Sequence, residues 1–196
     1  MDEVDYGEPI KSRRELRRER EKNKRKSGML EFLVIMLVAF VLVFGLIRPF
    51  VVEAFKIPSE SMVPTLMVGD RVLANKFIYR FTEPARGDVV LFDSVVEGSE
   101  DTLIKRVAGV EGDEIRVQGG TLFVNGERQD EPYLNQYLPD QSTPYGPETV
   151  PKDHVFVLGD NRGNSGDSRV FGPVPVGNIK GEGFLVFWPP THIGPV

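Results

Sequence analysis

The sequence predicts a mainly β fold, arranged as a folded sheet or a barrel-like domain, behind a single N-terminal transmembrane helix. Beyond residue 50 no long apolar stripe with helical spacing is evident, and the chain's 20 Gly and 15 Pro interrupt short apolar stretches. Gly-Asp recurs as a turn signal at residues 69–70, 87–88, 112–113 and 159–160. The stretches rich in Val, Ile, Leu and Phe, which we predict to be strands, are residues 71–79, 89–92, 103–110, 114–118, 121–124, 154–158 and 183–188.

Two further signals refine the predicted β domain. Gly119 and Gly120 stand between two of the predicted strands, which is typical of a two-residue hairpin loop. Residues 126–152, rich in Pro, Tyr and Gln, are predicted to form a long irregular excursion.

The helix prediction rests on a basic segment followed by an apolar run. Residues 11–26 contain ten Lys or Arg against three Glu, and residues 32–47 are uncharged. As a helix the apolar run spans about 24 Å, so flanking residues must complete a bilayer core of about 30 Å. Arg48 can extend its charged end to the interface. We therefore predict a transmembrane helix over residues 29–52.

The distribution of charge predicts how the chain is oriented. By the positive-inside rule, residues 1–28 form a basic cytoplasmic tail and residues 53–196 form an extracytoplasmic domain. The chain is thus predicted to cross a membrane once, and the basic tail is expected to attract anionic lipid headgroups. A cleavable export signal is the alternative, because Val52-Glu53-Ala54 supplies a small-x-small tripeptide after the apolar run.

Composition also excludes some functions for the main domain. Residues 48–196 carry 14 basic and 21 acidic side chains, a balance of −7, which argues against nucleic acid as a partner. The chain contains no cysteine, so no disulfide supports the exported domain and no thiol can act as nucleophile or zinc ligand.

The first candidate for chemistry is Ser61, within the segment 58–66. Pro58 and Pro64 restrict the backbone around Ser61 to extended and turn geometry, so the segment is not a helix interior. A hydroxyl held on such a stiff loop is a candidate nucleophile. A Ser/Pro-rich linker that leaves a membrane anchor is the alternative.

A serine nucleophile needs a base, and Lys105 is the best candidate. His154 begins an apolar strand and His192 lies in the C-terminal tail, and neither belongs to a polar cluster. Lys105 interrupts the apolar stretch 103–110, and burial there would lower the pKa of its amine toward neutrality. An exposed or edge position is the usual alternative for a lysine in a strand.

The third candidate segment, residues 159–169, is dense in polar groups. A calcium loop is a poor match, because Arg162 and Phe171 occupy positions where an EF-hand needs oxygen ligands. The glycine spacing matches neither a P-loop nor a dinucleotide-binding motif. A turn stabilised by Asp-Arg pairing and side-chain to backbone hydrogen bonds is the remaining alternative.

In this order and behind an N-terminal anchor, the three segments resemble bacterial type I signal peptidase, or leader peptidase, of peptidase family S26. Residues 58–66 resemble the nucleophile box of that family, residues 104–106 its lysine box and residues 159–169 its C-terminal box. The resemblance covers about residues 30–190, and it implies that the protein lies in a bacterial cell membrane with residues 53–196 as its extracytoplasmic catalytic domain. Gly163 departs from the family pattern, where Asp or Asn is common, and touches no expected catalytic group.

The resemblance implies a role for several residues. Ser61 is implied as the nucleophile and Lys105 as the general base of a Ser-Lys dyad, which requires no metal and no cofactor. Ser165 is implied to orient the Lys105 amine by a hydrogen bond, and Asp167 and Arg169 to form a supporting ion pair.

The resemblance also implies how the substrate is bound and cut. The Ser59 hydroxyl and the backbone N–H of Ser61 are implied to form the oxyanion hole. Family substrates are preproteins with small residues at the first and third positions before the cut, cleaved close to the translocation machinery. The residues at family positions that line the shallow apolar pockets are Phe55, Ile57, Pro58, Leu66 and Ile104.

Two other functions remain open from the sequence. One is a catalytically silent module that binds signal peptides or joins the translocation machinery. The other is a self-cleaving regulator, because repressor-type autoproteases carry a similar dyad on a related β fold. Residues 1–50 offer such a regulator only a basic tail and a helix, although self-cleavage after Ala54 remains conceivable.

Overall fold

A computed structural model describes residues 13–47, 51–134 and 144–196, in two separate units. The first unit is helical. Helix α1 spans Arg13–Val41 and continues into a π-helical turn at Leu42–Ile47. Within it, Gly28–Gly45 is long and apolar enough to cross a membrane, with a mean hydropathy of 2.6. Residues 1–12 of the predicted tail and Arg48 lie outside the described residues.

The helix differs in extent from the predicted span of residues 29–52. It begins at Arg13, so most of the basic segment and the apolar run share one helical stretch. At the other end, Val52 already belongs to a strand. The boundaries of the membrane span stay a prediction.

The regular secondary structure described in the second unit consists mainly of antiparallel strands. Short helical turns connect some of them: Ile78–Arg80, helix α2 at Ser168–Phe171, Val176–Asn178 and Pro190–His192. The strands are β1 (Val52–Lys56), β2 (Arg71–Asn75), β3 (Val89–Asp93), β4 (Thr102–Val110), β5 (Glu114–Gln118), β6 (Thr121–Val124), β7 (Glu127–Arg128), β8 (Tyr145–Thr149), β9 (His154–Leu158), β10 (Val174–Pro175), β11 (Ile179–Trp188) and β12 (Gly194–Pro195).

The described strands form two sheets. The larger has the order β1-β2-β11-β3-β4-β9-β10, with β12 added beside β11, and the smaller has the order β7-β6-β5-β8. The mainly β class predicted from the sequence is therefore confirmed. Strand β4 lies inside the larger sheet, between β3 and β9, so its residues are not at an edge.

Three buried apolar clusters hold the sheets. One packs Ile57, Met62 and Leu66 against residues of β2, β3, β4 and β11. A second joins the smaller sheet to β4 and β9. The third covers residues of β3, β4, β9 and β10. The first cluster anchors the segment that follows β1, because its apolar side chains are almost completely removed from water.

Most predicted strands are present, with different ends. Gly119 and Gly120 both have positive φ, 55° and 71°, and join Gln118 to Thr121 as the predicted hairpin. The first predicted strand stops at Asn75, and a helical turn follows at Ile78–Arg80.

The prediction of an irregular excursion over residues 126–152 is partly wrong. It contains β7 and also β8, which pairs with β5 at the edge of the smaller sheet. Gly146 and Pro147 are residues that usually interrupt strands, so the sequence did not indicate β8. An edge strand tolerates proline because its backbone need not donate hydrogen bonds to a second neighbouring strand. Residues 135–143 of the excursion lie outside the described residues.

Candidate active site

Ser61 lies in the loop of residues 58–66, which leads from β1 towards β2. The loop is closed at its base, where Ile57 N–H donates to the Asp70 carbonyl and Gly69 N–H donates to the Ile57 carbonyl, both at 2.9 Å. Met62 and Leu66 are fully buried beneath it. Ser61 itself is 8% exposed, so its hydroxyl is largely buried, on a loop that the core holds in place.

Lys105 meets Ser61 from strand β4. Its Nζ lies 2.7 Å from Ser61 Oγ and 2.8 Å from the Ile104 carbonyl oxygen, and the side chain is 3% exposed. Burial lowers the pKa of Lys105 to about 8, although the carboxylates of Asp167 and Asp160 oppose that shift. The amine can therefore lose its proton close to neutral pH.

The loop of residues 159–169 supports this pair. Asp167 is completely buried, accepts a 3.0 Å hydrogen bond from Gly159 N–H and forms a two-pronged ion pair with Arg169, at 2.8 Å on each side. Asn161 N–H donates to the Ser61 carbonyl oxygen at 3.0 Å. The loop thus combines an internal ion pair with a direct bond to the backbone of Ser61.

Ser165 does not make the hydrogen bond to the Lys105 amine that the family resemblance implies, among the described residues. Its Oγ is buried and has no hydrogen-bond partner among the described residues, whereas Lys105 Nζ bonds to Ser61 and Ile104. A Cβ placed on Gly159 would lie 2.2 Å from Ser165 Oγ and 2.5 Å from the Ser61 carbonyl oxygen. Ser165 therefore packs beside the loop that carries Ser61, and its bond to the amine stays a prediction.

Ser59 is exposed and close to Ser61. Its hydroxyl donates to Ser61 Oγ over 3.4 Å, a long hydrogen bond. A weakly engaged hydroxyl can turn toward another acceptor at little cost, which is compatible with the implied contact to an oxyanion.

A cavity of about 470 Å³ opens beside Ser61 and Lys105. Its lining includes none of the five predicted pocket residues. Ile57, Leu66 and Ile104 are buried in the core cluster beneath the loop, Phe55 packs against that cluster, and Pro58 is exposed. Their part in substrate binding stays a prediction. The residues that line the cavity are Ser59, Glu60, Ser61, Leu103, Lys105, Asn164 and Gly166.

Leu103 supplies an apolar wall that the sequence analysis did not single out. Strand alternation could have identified it, because residues 103 and 105 of a strand point to the same face. Both line the cavity in the structure.

A buried polar cluster next to Lys105 also escaped the sequence analysis. Arg106 is 7% exposed and binds the Asp160 carboxylate through Nε at 3.0 Å and through a terminal nitrogen at 2.7 Å. Thr65 donates to the same carboxylate at 2.5 Å. The cluster therefore connects β4, the Ser61 loop and the loop of residues 159–169. The carboxylates of Asp160 and Asp167 are paired with Arg106 and Arg169, respectively, which is typical of an ion-paired turn and not of a calcium loop.

The two histidines make other contacts. His192 Nδ1 lies 3.0 Å from Asp70 Oδ1, and His154 Nδ1 lies 2.7 Å from the Lys152 carbonyl oxygen. The Nδ1 contacts of both histidines are thus with groups other than Ser61, whereas Lys105 Nζ lies within hydrogen-bond distance of Ser61 Oγ.

The family described as "Signal peptidase, peptidase S26" matches residues 29–188. The chain belongs to this signal peptidase family. "Probable signal peptidase I-2" of Synechocystis sp. is 41% identical over 184 residues, covering 89% of this chain and 83% of that protein. "Signal peptidase I" of Leptolyngbya laminosa is 42% identical, covering 87% and 85%, and "Signal peptidase IB" of Staphylococcus aureus is 38% identical, covering 84% and 92%.

A crystal structure of a signal peptidase I from Enterococcus faecalis is 28% identical and covers 52% of this chain and 97% of that chain, with a TM-score of 0.44. Signal peptidases remove signal peptides from preproteins, so the predicted enzyme class and its preprotein substrates are confirmed by the family match and the curated relatives. Together with the apolar helix, the family also indicates a membrane-anchored protein.

Proposed function

We propose that this signal peptidase cuts its preproteins with Ser61 as the nucleophile and Lys105 as the general base. The observation that carries the proposal is the 2.7 Å separation of Lys105 Nζ and Ser61 Oγ in a buried setting. General base catalysis needs the base within hydrogen-bond reach of the proton it removes, and this separation meets that requirement.

The protonation state of Lys105 decides which way the proton moves. A charged amine donates to Ser61 Oγ, whereas a neutral amine accepts the serine proton. With the pKa lowered to about 8, on the order of a tenth of the amines are neutral at pH 7. At the unperturbed value of 10.5 that fraction would be about one in 3,000. Burial therefore supplies the base that the reaction uses.

The reaction then proceeds in two halves. Ser61 Oγ forms a bond to the carbonyl carbon of the peptide bond that is cut, while Lys105 takes the proton of the serine hydroxyl. The C–N bond breaks as Lys105 returns that proton to the leaving amine, which leaves an acyl-enzyme. Water then attacks the ester carbonyl, Lys105 takes the proton of that water and passes it to Ser61 Oγ as the signal peptide departs.

Stabilisation of the oxyanion is assigned to Ser59 and to the backbone N–H of Ser61. One donor of this kind typically contributes about 2.7 to 4 kcal/mol to the transition state. Asp167 and Arg169 fix the loop of residues 159–169, and Ser165 is assigned to the Lys105 amine once substrate is bound. Support for these roles comes from the short distances that separate the loop from Ser61.

The substrate segment is proposed to be extended, with small residues at the first and third positions before the cut. The cavity beside Ser61 offers Leu103 as an apolar wall, and Phe55, Ile57, Pro58, Leu66 and Ile104 remain the proposed surroundings of those two side chains.

Membrane attachment is proposed to place enzyme and substrate in the same bilayer. In this arrangement residues 1–28 are cytoplasmic, and the catalytic unit is on the opposite side, near the translocation machinery. The basic start of α1 would contact anionic headgroups, each cation near the surface contributing about 1 kcal/mol. The test is protease protection of right-side-out and inside-out vesicles. Digestion of the β domain from the cytoplasmic face would contradict the orientation.

Replacement of the two central residues tests the mechanism. Ser61→Ala and Lys105→Ala proteins should bind preprotein and fail to cleave it. If either folded variant cleaved as fast as the parent, the assignment would be wrong. Binding without turnover by the unmutated protein would instead indicate the silent binding module.

A further inference from the structure

The segment that carries Glu131 and Tyr133 contacts the catalytic region from a part of the chain that contributes no candidate catalytic group. The segment follows β7 of the smaller sheet. Two of its side chains reach across to two arginines, one beside Lys105 on β4 and one in the loop of residues 159–169. The four residues Glu131, Tyr133, Arg106 and Arg162 are called the clasp below.

The first contact of the clasp is made by the ring of Tyr133. The guanidinium carbon of Arg106 lies 4.0 Å from the centre of that ring, a close cation–π stack. Arg106 is the residue next to Lys105 and also binds Asp160, which in turn accepts a hydrogen bond from Thr65 of the Ser61 loop. The ring thus covers the ion pair that joins β4 to both catalytic loops.

The second contact is made by the carboxylate of Glu131. It forms an ion pair with Arg162, and the side chains of both residues are less than a tenth exposed. The Tyr133 hydroxyl donates to the same carboxylate at 2.8 Å. One carboxylate therefore joins the tyrosine that stacks on Arg106 to the arginine that belongs to the second loop.

Arg162 passes the restraint to the backbone beside the nucleophile. Its Nε donates to the Gly159 carbonyl at 3.1 Å, and its own carbonyl accepts from Arg169 at 2.8 Å. Gly159 is packed so closely that an added Cβ would overlap Ser165 and the Ser61 carbonyl. A shift of Arg162 would therefore displace Gly159, and with it the contacts of Gly159 with Ser165 and Ser61.

We propose that Glu131 and Tyr133 are positioning residues of the signal peptidase, which hold the Ser61 loop and the loop of residues 159–169 in the arrangement that brings Ser61 to Lys105. The proposal rests on the assignment of those two residues as nucleophile and base. If the segment of residues 131–134 stabilised only its own part of the fold, it would not need to contact Arg106, which binds Asp160, or Arg162, which belongs to the loop of residues 159–169.

Tyr133→Leu in the full-length protein tests the positioning role. It removes the ring over Arg106 and the hydroxyl on Glu131. We expect kcat for preprotein cleavage to fall about tenfold, within the range that small misplacements cost, while KM changes less than about twofold. Tyr133→Phe retains the ring and should recover most of the lost kcat. Tyr145→Leu is the matched control, since it also removes a tyrosine hydrogen-bonded to a glutamate, but Tyr145 belongs to β8 and its ring contacts Phe156 instead of an arginine.

A pH profile separates positioning from simple stability. The groups that face Lys105 are Ser61, Asp160 and Asp167, with Glu60 on the same cavity wall. If the loops loosen, water reaches the amine, the charged form is favoured, and the rising limb of kcat/KM moves to higher pH. We expect that movement in Tyr133→Leu and not in Tyr145→Leu, at a temperature where both are fully folded.

The contrary results are equally clear. An unchanged kcat and an unchanged limb in folded Tyr133→Leu would overturn the proposal. Should Tyr133→Leu not fold, Glu131→Gln decides in its place, because it weakens the bond to Arg162 and keeps the side-chain volume. Unchanged kcat and an unchanged limb in Glu131→Gln would likewise overturn it. Turnover by Ser61→Ala in the same assay would show instead that the proposed nucleophile is wrong.

Discussion

The backbone N–H of Asn161 donates a 3.0 Å hydrogen bond to the carbonyl oxygen of Ser61. The bond connects two loops that are distant in the sequence, and the Asn161 side chain adds a second bond to the Glu60 carbonyl at 3.1 Å. Ser61, the proposed nucleophile, is thus held through its own backbone as well as by the core beneath it. A substitution that separates the two loops should lower kcat even where the protein still folds.

Gly159→Ala should disrupt the contact between the loops. An added Cβ would lie 2.5 Å from the Ser61 carbonyl and 2.2 Å from Ser165 Oγ, so one loop must move. We expect a loss of unfolding free energy of about 1 to 3 kcal/mol and a fall in kcat of about a hundredfold. Gly177→Ala is the control, since a Cβ there meets open space, and it should behave like the parent. Equal activity of the two variants would contradict the account.

Ser165→Ala should lower activity without lowering stability. The hydroxyl has no described partner in the free enzyme, so its removal leaves no new unsatisfied group. We expect kcat to fall about tenfold or more if this hydroxyl orients the amine during the reaction, with an unchanged denaturation midpoint.

Ser168→Ala provides the opposite pattern in the same region. The Ser168 hydroxyl accepts a buried 2.9 Å hydrogen bond from Val157 N–H, and its loss should cost about 1 to 3 kcal/mol of stability. If Ser165→Ala lost stability and kept full kcat, Ser165 would be a packing residue only.

Ser59→Ala tests the oxyanion hole. The side chain is exposed, so stability should not change measurably. A missing donor should lower kcat by about 10² to 10³ while KM stays nearly constant. Ser59→Thr retains the hydroxyl and should keep most of the activity. An Ala variant as active as the Thr variant would exclude the hydroxyl from the reaction.

Lys105→Met should abolish activity and stabilise the protein at neutral pH. The pKa of Lys105 is lowered from 10.5 to about 8, so the folded form binds fewer protons than the unfolded form between those values. At about 1.4 kcal/mol per pKa unit, the charged amine costs up to about 3 kcal/mol below pH 8, and that cost disappears as pH rises through about 10.5. The two hydrogen bonds of the amine offset part of the gain.

Urea unfolding across that pH range measures the effect. The stability advantage of Lys105→Met should be largest near pH 7 and should shrink toward pH 10. Lys180→Met, which removes a half-buried lysine paired with Asp93 and Thr102, is the control for the loss of a lysine as such. A Lys105→Met protein less stable than the parent at pH 7 would show that desolvation does not dominate.

Much of the fold could be predicted because local sequence signals decide it. The hairpin at Gly119 and Gly120 and strands such as β4 and β9 follow from turn chemistry and apolar composition. Strand β1 was hidden because Val52–Lys56 directly follows the apolar run. Strand β8 was hidden because Gly146 and Pro147 read as breakers, while its place at a sheet edge permits both.

The pair Ser61 and Lys105 could be proposed from the sequence, whereas the lining of the cavity and the contacts around the pair could not. Flanking prolines singled out Ser61, an apolar strand singled out Lys105 and polar composition singled out the loop of residues 159–169. That Lys105 is central in the sheet and not at an edge depends on long-range strand pairing. The bond between Arg106 and Asp160 and the stack of Tyr133 on Arg106 join segments that no local pattern connects. Tertiary contacts of this kind are set by the whole fold.

The most direct test of the Ser61–Lys105 assignment is the pH dependence of kcat/KM for preprotein cleavage by the unmutated enzyme, with Ser61→Ala as the blank. Rate should rise with pH as Lys105 loses its proton, with an apparent pKa near the value of about 8 that burial produces. A rising limb near 10.5, the ordinary value for lysine, or turnover that persists in Ser61→Ala, would contradict the account.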